Sequence, residues 1–125
     1  RCFFVGTAIS AVKKIYEQLL EAQQAGVNMV RAGVKISDLD RSVRALLGKE
    51  NTYFTHSLGH GVGLEIHEDP SVSSKSDLIL QPAMVITVEP GIYKPGIGGV
   101  RIEDTVIVTE DGCEVMTMSS KKSQL

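Results

Sequence analysis

The sequence predicts an α+β fold in which two helices precede an antiparallel sheet. Two observations carry this prediction. Apolar residues recur at spacings of three and four up to about residue 47, and short apolar runs separated by turns follow from residue 84. The chain has 125 residues, of which 42% are hydrophobic, enough for the core of one domain. We assign residues 1–118 to this domain and residues 119–125 to a polar tail that is expected to be frayed.

The first helix is predicted from an apolar stripe with charged residues on the other helix faces. The stripe consists of Ala8, Val12, Ile15, Leu19 and Ala22. The pattern weakens at Gly26, and residues 31–33 are expected to end the helix.

The second helix is predicted to begin at Ser37, as a capping residue, with Asp40 in its first turn. Its apolar face consists of Leu39, Val43, Leu46 and Leu47. Gly48 is predicted to end it because glycine readily leaves the helical conformation.

Three strands are predicted after these helices. Residues 84–89 form the first, which Pro90 and Gly91 end. Residues 100–109 form the second strand and residues 113–117 the third. The intervening Glu-Asp-Gly turn joins the last two strands into a hairpin, so the sheet is expected to be antiparallel.

The charge balance argues against nucleic acid and membrane as partners. Thirteen Lys and Arg stand against fifteen Asp and Glu, and no basic run occurs. No apolar stretch approaches the roughly 18–20 residues of a membrane span. Cys2 and Cys113 lie at opposite ends of the chain without a disulfide pattern, which favours a reducing cytoplasm.

All three histidines, His56, His60 and His67, lie in one glycine-rich segment. Imidazole is a common transition-metal ligand and a proton carrier near neutral pH. Glycines on both sides of His60 allow a metal or a substrate to approach the backbone closely. The ordinary alternative is a glycine-rich turn whose histidines are merely surface residues. This explanation fits a single histidine better than three histidines clustered among glycines.

Two acids in apolar strands strengthen the hypothesis of a metal site. Glu89 ends the first predicted strand and Glu103 interrupts the second. Alternation puts Arg101 on the same strand face as Glu103, roughly 6–7 Å away. The alternative is that Glu103 pairs with Arg101 or that the strand is an edge facing water. From the residues alone, one histidine and two glutamates can hold a metal, but which histidine, metal and reaction stays open.

Three motifs at these positions resemble those of the pita-bread metallopeptidases, the family of methionine aminopeptidase, aminopeptidase P and prolidase. They are His-Ser-Leu-Gly-His-Gly-Val-Gly-Leu-Glu-Ile-His-Glu at residues 56–68, Thr-Val-Glu-Pro-Gly-Ile-Tyr at 87–93 and Gly-Val-Arg-Ile-Glu-Asp at 99–104. The resemblance runs from Arg1 to about Thr117. The Arg-Ile-Glu-Asp run is similar to Xaa-Pro peptidases, and methionine aminopeptidases usually lack it.

The resemblance implies a catalytic metal centre. His60 corresponds to a metal ligand, Glu89 to a ligand that also serves as general base, and Glu103 to the ligand that bridges two metals. The implied cofactors are two divalent ions, manganese, cobalt or zinc. The implied reaction is attack of water on the carbonyl of an Xaa-Pro bond, with the ions sharing the developing charge.

The resemblance also assigns three residues around the metals. His56 and His67 correspond to histidines that contact the substrate and stabilise charge at the scissile carbonyl. Arg101 corresponds to the residue that orients the acidic ligands. The chain is thereby expected to belong to an Xaa-Pro aminopeptidase or an Xaa-Pro dipeptidase.

The family pattern contains five metal ligands, and this sequence matches three of them. The other two are aspartates upstream of the matching region, and Arg1 corresponds to an arginine just past them. The chain is therefore expected to be the C-terminal half of the catalytic domain, with weak activity or none alone. Its expected partners are a proline-containing peptide and the other half of the domain. Apolar surface is expected to be exposed where the other half of the domain would pack. Such surface favours self-association, including a homo-oligomer.

Two other readings of the resemblance remain. The first is a non-catalytic relative that acts as a peptide-binding or interaction module, which the unmatched aspartates favour and the retained acids oppose. The second is a metal-free amidinohydrolase of the creatinase type, which is disfavoured because that type loses the ligands retained here.

Overall fold

The computed structural model describes residues 1–123, and its helices precede its strands. Helix α1 spans Ser10–Met29, helix α2 spans Ile36–Leu47, and a 3₁₀ helix follows at Gly48–Tyr53. The strands are β1 Gly59–Gly61, β2 Glu68–Val72, β3 Val85–Val88, β4 Gly91–Lys94, β5 Gly98–Arg101, β6 Asp104–Val108 and β7 Cys113–Val115. The predicted α+β order is confirmed.

The strands form two antiparallel sheets. The larger sheet has the order β2-β1-β3-β6-β7, and the smaller one contains β4 and β5. Val88 pairs with Asp104 in the larger sheet, and Gly91 pairs with Arg101 in the smaller one. The chain therefore changes sheets at two facing breaks, residues 89–90 and 102–103. Glu89 and Glu103 both lie in these breaks.

One hydrophobic core lies between the helices and the sheets. Its largest fully buried side chains include Leu19, Ile36, Leu39, Leu47, Leu58, Leu80, Ile86, Ile92 and Ile102. Gly26 permits close packing of α1, because a Cβ there would lie 2.7 Å from the Val43 side chain and 3.3 Å from that of Val88. The helices thus form a fixed support for the strands that carry the acids.

Both predicted helices are confirmed, but the predicted cap of the second is wrong. Helix α2 begins at Ile36, and its capping residue is Lys35, which makes no side-chain cap hydrogen bond. Ser37 is buried within the first turn, and its hydroxyl has no hydrogen-bond partner among the described residues. Gly48 ends the helix as predicted, with a φ of 54°.

The predicted strands are confirmed in part. The first occupies Val85–Val88, and the hairpin of β6 and β7 forms as predicted. The single strand predicted over residues 100–109 is wrong, because residues 102–103 separate β5 from β6. Strands β1, β2 and β4 had no prediction. β1 consists of Gly59, His60 and Gly61, which lack the β-branched residues that mark a strand.

The polar tail was expected to be frayed, but its residues 119–123 make contacts with other parts of the chain. The carbonyl of Ser119 accepts a hydrogen bond from Arg1 Nε at 3.0 Å, and that of Ser123 accepts one from the amide of Phe4 at 2.7 Å. Lys121 pairs with the buried carboxylate of Asp104. The tail therefore packs beside the first residues of the sequence. Residues 124–125 of the predicted tail lie outside the described residues.

Cys2 and Cys113 are both free thiols. Over residues 1–123, neither helix combines the length and the apolar content needed to cross a membrane.

Candidate active site

A cavity of about 660 Å³ gathers most of the predicted site residues. All three histidines line it, together with Glu89 and Arg101. Glu103 lines a smaller neighbouring cleft of about 280 Å³, and Arg101 lies between the two. The motifs that are distant in sequence therefore meet at one place in the fold.

His60 is held in β1 with one ring nitrogen aimed at an acid. Its Nδ1 lies 2.8 Å from the carbonyl oxygen of Gly61, so Nδ1 donates and Nε2 is left as the acceptor. Nε2 lies 3.1 Å from Oε1 of Glu89. With Nδ1 as the donor, Nε2 and the carboxylate oxygen both present lone pairs, which is the pairing that suits a shared cation. Donation from the other nitrogen to a backbone carbonyl is the usual arrangement of a metal-ligating histidine.

The glycines beside His60 are required by its neighbouring strands. A Cβ on Gly59 would overlap the backbone carbonyl of Thr87 in β3. A Cβ on Gly61 would overlap the carbonyl of Asp69 in β2. The glycines therefore serve the packing of β1 between two strands, and this packing brings His60 to Glu89.

Glu89 is largely buried, with 8% of its surface exposed. Its amide donates to the carbonyl of Leu58 at 2.8 Å, which fixes the break after β3. The Thr87 hydroxyl donates to Glu89 Oε1 at 3.0 Å and also accepts from the amide of His60 at 3.0 Å. Thr87 thus links the histidine and the acid and orients the carboxylate.

Arg101 connects the two acids. Its Nε lies 3.5 Å from Glu89 Oε2 and 3.8 Å from Glu103 Oε2. Partial burial by itself would lower the pKa of Arg101, but Tyr93 and the two carboxylates outweigh it and raise this pKa above its usual value. The guanidinium therefore stays charged. The ordinary alternative of a Glu103–Arg101 pair describes these contacts, although Arg101 ends β5 and Glu103 lies in the break that follows it.

His56 forms a second linked pair, with Tyr93 of β4. Its Nδ1 lies 2.7 Å from the carbonyl oxygen of Ser57, so Nδ1 donates, and its Nε2 accepts from the Tyr93 hydroxyl at 2.9 Å. Tyr93 had no predicted role. Its position in the Glu-Pro-Gly-Ile-Tyr motif was the available signal, and Gly91 leaves room for this contact, since a Cβ there would lie 2.8 Å from His56 Nε2.

His67 lies beside His60, with ring centroids 4.5 Å apart and the rings at 73°. It belongs to the exposed loop between β1 and β2. Its ring lines the same cavity as His56, so both histidines assigned to the substrate face the space next to Glu89.

The donor chemistry fits part of a metal centre. Two ligands that each lie about 2.0–2.2 Å from one ion are separated by about 3.0–3.6 Å, and the His60–Glu89 contact of 3.1 Å falls in this range. Across residues 1–123, no group of three or more His, Cys, Asp or Glu side chains is arranged to hold a metal ion. The pair can therefore hold an ion only together with further donors, and Arg101 lies between it and Glu103.

Comparison with known families gives this arrangement its context. Residues 1–110 match the metallopeptidase family M24, and this region includes all three motifs. The chain belongs to metallopeptidase family M24. Membership of this family implies divalent metal ions as cofactors.

Individual M24 relatives resemble the chain along nearly all of its length. An Xaa-Pro dipeptidase of Pyrococcus horikoshii is 45% identical over 124 residues, which cover 98% of the chain and 35% of the relative. The structure of an Xaa-Pro dipeptidase from Bacillus anthracis is 49% identical with a TM-score of 0.95, covering 98% of the chain and 36% of that protein. The structure of an X-Pro aminopeptidase from Thermotoga maritima is 38% identical with a TM-score of 0.93, covering 98% of the chain and 36% of that protein. The chain thus spans about a third of these relatives, and the predicted pita-bread architecture is confirmed.

Proposed function

We propose that the protein containing this chain hydrolyses Xaa-Pro peptide bonds in a metal-dependent reaction, as an Xaa-Pro dipeptidase or aminopeptidase. The observation that carries the proposal is the contact between His60 Nε2 and Glu89 Oε1 in a cavity shared with His56 and His67. The substrate class is taken from the names of the M24 relatives, which are Xaa-Pro dipeptidases and an X-Pro aminopeptidase.

In this proposal His60, Glu89 and Glu103 are protein ligands of two divalent ions, manganese, cobalt or zinc, with Glu103 as the shared ligand. Of these three residues, only His60 and Glu89 are in direct contact, so the complete centre needs donors beyond this pair. When bound, the ions supply Lewis-acid activation of water and of the substrate carbonyl. Arg101, within 4 Å of both acids, orients their carboxylates.

The other catalytic roles in this proposal belong to side chains of this chain. Glu89 is the general base that accepts the proton of the attacking water, because its carboxylate lines the cavity and is held by Thr87. His56 and His67 hold the substrate carbonyl and stabilise charge that develops on it. The hydrogen bond from the Tyr93 hydroxyl to Nε2 of His56 fixes the orientation of the imidazole.

The proposed partners are the proline-containing peptide and the remaining part of the catalytic domain. Several apolar side chains are exposed, including Val5 at 92%, Leu64 at 103% and Ile66 at 83%. We expect other parts of the full-length protein, or a second copy in a homo-oligomer, to cover such residues. The free cysteines support a cytoplasmic location as a further proposal.

The substrate class is tested with the full-length protein and paired peptides. Alanyl-proline, or the tripeptide alanyl-prolyl-alanine for an aminopeptidase, is expected to be cleaved about 10–200-fold faster than the matching peptide with alanine in place of proline. The measurement is release of free alanine with Mn²⁺, Co²⁺ or Zn²⁺ and after EDTA treatment, which is expected to abolish it. Equal rates for both peptides, or hydrolysis that survives EDTA, would contradict the proposal. Binding without hydrolysis would favour the non-catalytic module instead.

A further inference from the structure

We propose that Arg44, in the last turn of α2, is a positioning residue that holds the backbone of His56 and so sets the direction of its imidazole. The inference rests on the proposed function for the role of His56 at the substrate. It assigns a task to a charged side chain that lies outside the cavity and that the sequence motifs do not include.

The guanidinium of Arg44 binds two carbonyls of the segment that carries His56. Nη2 donates to the His56 carbonyl at 2.6 Å, and Nη1 donates to the Phe54 carbonyl at 3.0 Å. This segment lies between the 3₁₀ helix and β1, outside any strand. Its carbonyls are therefore fixed by a side chain rather than by a sheet ladder, and the planar fork of arginine suits two acceptors at once.

Arg44 is itself fixed by three further contacts, one of which is a hydrogen bond from its Nη1 to the side-chain oxygen of Asn51 at 3.3 Å. Its Nε donates at 2.7 Å to Asp40 one turn earlier in α2, and the Asp40 carboxylate is fully buried. Its guanidinium also lies over the Phe54 ring, 4.0 Å from the centroid. An arginine held on both sides in this way loses little further freedom when it binds the two carbonyls. Helix α2, packed on α1, thereby serves as the support for the His56 segment.

The backbone and the ring of His56 are held from different elements. Arg44 holds the carbonyl from α2, whereas Tyr93 of β4 contacts Nε2 at 2.9 Å. The Phe54 ring packs edge-on against the imidazole, with centroids 4.9 Å apart. Without Arg44 the segment loses two charge-assisted hydrogen bonds, and the imidazole can move away from the line to Tyr93. A displacement of about 1 Å at a group that contacts the reacting carbonyl can cost about 10²-fold in rate.

The test compares Arg44→Lys and Arg44→Ala with the control Arg41→Ala in the full-length protein. Arg41 is one turn away on α2, exposed, and paired with the exposed Asp38. We expect Arg44→Lys to fold and to lower kcat for the Xaa-Pro peptide about 10²-fold with KM changed less, because lysine keeps the charge near Asp40 but lacks the fork. Arg41→Ala is expected to stay within about twofold of wild type.

A second readout is independent of activity. In ¹⁵N NMR spectra, wild-type His56 is expected to show the separated ring shifts of one tautomer, with the proton on Nδ1. In both Arg44 variants the two shifts are expected to move towards each other, and in Arg41→Ala they are expected to stay. If the wild type does not hydrolyse Xaa-Pro peptides, the proposed function fails while the NMR comparison still decides the role of Arg44. Arg44 variants that fold and keep the wild-type His56 shifts would overturn the inference. It would also be overturned if neither Arg44 variant folds, because Arg44 would then have a structural role only.

Discussion

Replacing Glu89 by glutamine is expected to lower kcat for Xaa-Pro hydrolysis by about 10³-fold or more, with little change in fold. Glutamine has nearly the same shape, and its oxygen can still accept the hydrogen bond from the Thr87 hydroxyl. What it loses is the charge that faces His60 Nε2 at 3.1 Å and Arg101 Nε at 3.5 Å, together with the ability to accept a proton. The substitution therefore removes the proposed general base and a metal ligand at the same time.

The measurement is the single-turnover rate of Xaa-Pro cleavage in the full-length protein, accompanied by thermal unfolding. Glu114→Gln is the matched control, because Glu114 is exposed on β7, far from the cavity in the sheet order. The control is expected to retain the wild-type rate. A folded Glu89→Gln protein that keeps its single-turnover rate within about tenfold of wild type would contradict the role given to Glu89.

Replacing Asp104 by alanine is expected to cost about 3–5 kcal/mol of the free energy of unfolding. The carboxylate is fully buried and binds four groups from separate parts of the chain. Arg1 Nη2 lies at 2.7 Å, Gln23 Nε2 at 2.9 Å and the Thr117 hydroxyl at 2.9 Å, and Lys121 forms the fourth contact. The substitution by alanine leaves the cations of Arg1 and Lys121 without the carboxylate that balances their charge. Urea unfolding at pH 7 measures the loss.

Asp38→Ala is the control for Asp104→Ala. Asp38 pairs with Arg41 on the exposed face of α2, with 63% of its side chain exposed, and its loss is expected to cost less than about 1 kcal/mol. Equal effects of the two substitutions would contradict a central role for the buried carboxylate in joining the two ends of the described chain.

The contribution of Asp104 is expected to depend on pH in one direction. Burial alone would raise the pKa of this carboxyl, but hydrogen bonds from Lys121, Gln23, Arg1 and Thr117 outweigh it and hold the pKa below the ordinary value of 3.8. Because the folded-state pKa is the lower one, the unfolded chain binds the proton first as the pH falls. The stabilisation is therefore complete above the ordinary pKa and is lost as the pH falls through the folded one. The gap between wild type and Asp104→Ala in urea should shrink accordingly between pH 7 and pH 2.

The helices were predictable because their apolar stripes follow the helical period, and the hairpin of β6 and β7 because its turn residues are distinctive. The strand break at residues 102–103 was not predictable from the pattern, because Ile102 is fully buried and fits an unbroken strand. Strand β1 escaped prediction for a different reason. Its glycines are required by the close carbonyls of Thr87 and Asp69, and neighbouring strands are not visible in a local pattern.

For the candidate site, the residue types predicted a metal site of one histidine and two glutamates, and the family resemblance implied that the histidine is His60. His60 and Glu89 do meet. The contacts that fix them come from residues distant in the chain. The approach of Arg44 to the His56 carbonyl and that of Tyr93 to the His56 ring depend on tertiary packing. The placement of Arg101 between the two acids likewise follows from the change of sheets, which places β5 and β6 on either side of Glu103.

The most direct test of a metal centre at His60, Glu89 and Glu103 is the metal content of the full-length protein after saturation with Mn²⁺, Co²⁺ or Zn²⁺ and removal of the free ion. We predict two bound ions for the wild type and for the control Glu114→Gln, and a clear loss of bound metal for Glu103→Gln, because the shared ligand is gone. An unchanged metal content in Glu103→Gln would contradict its assignment as the bridging ligand. A wild-type protein that retains none of these metals would contradict the account as a whole.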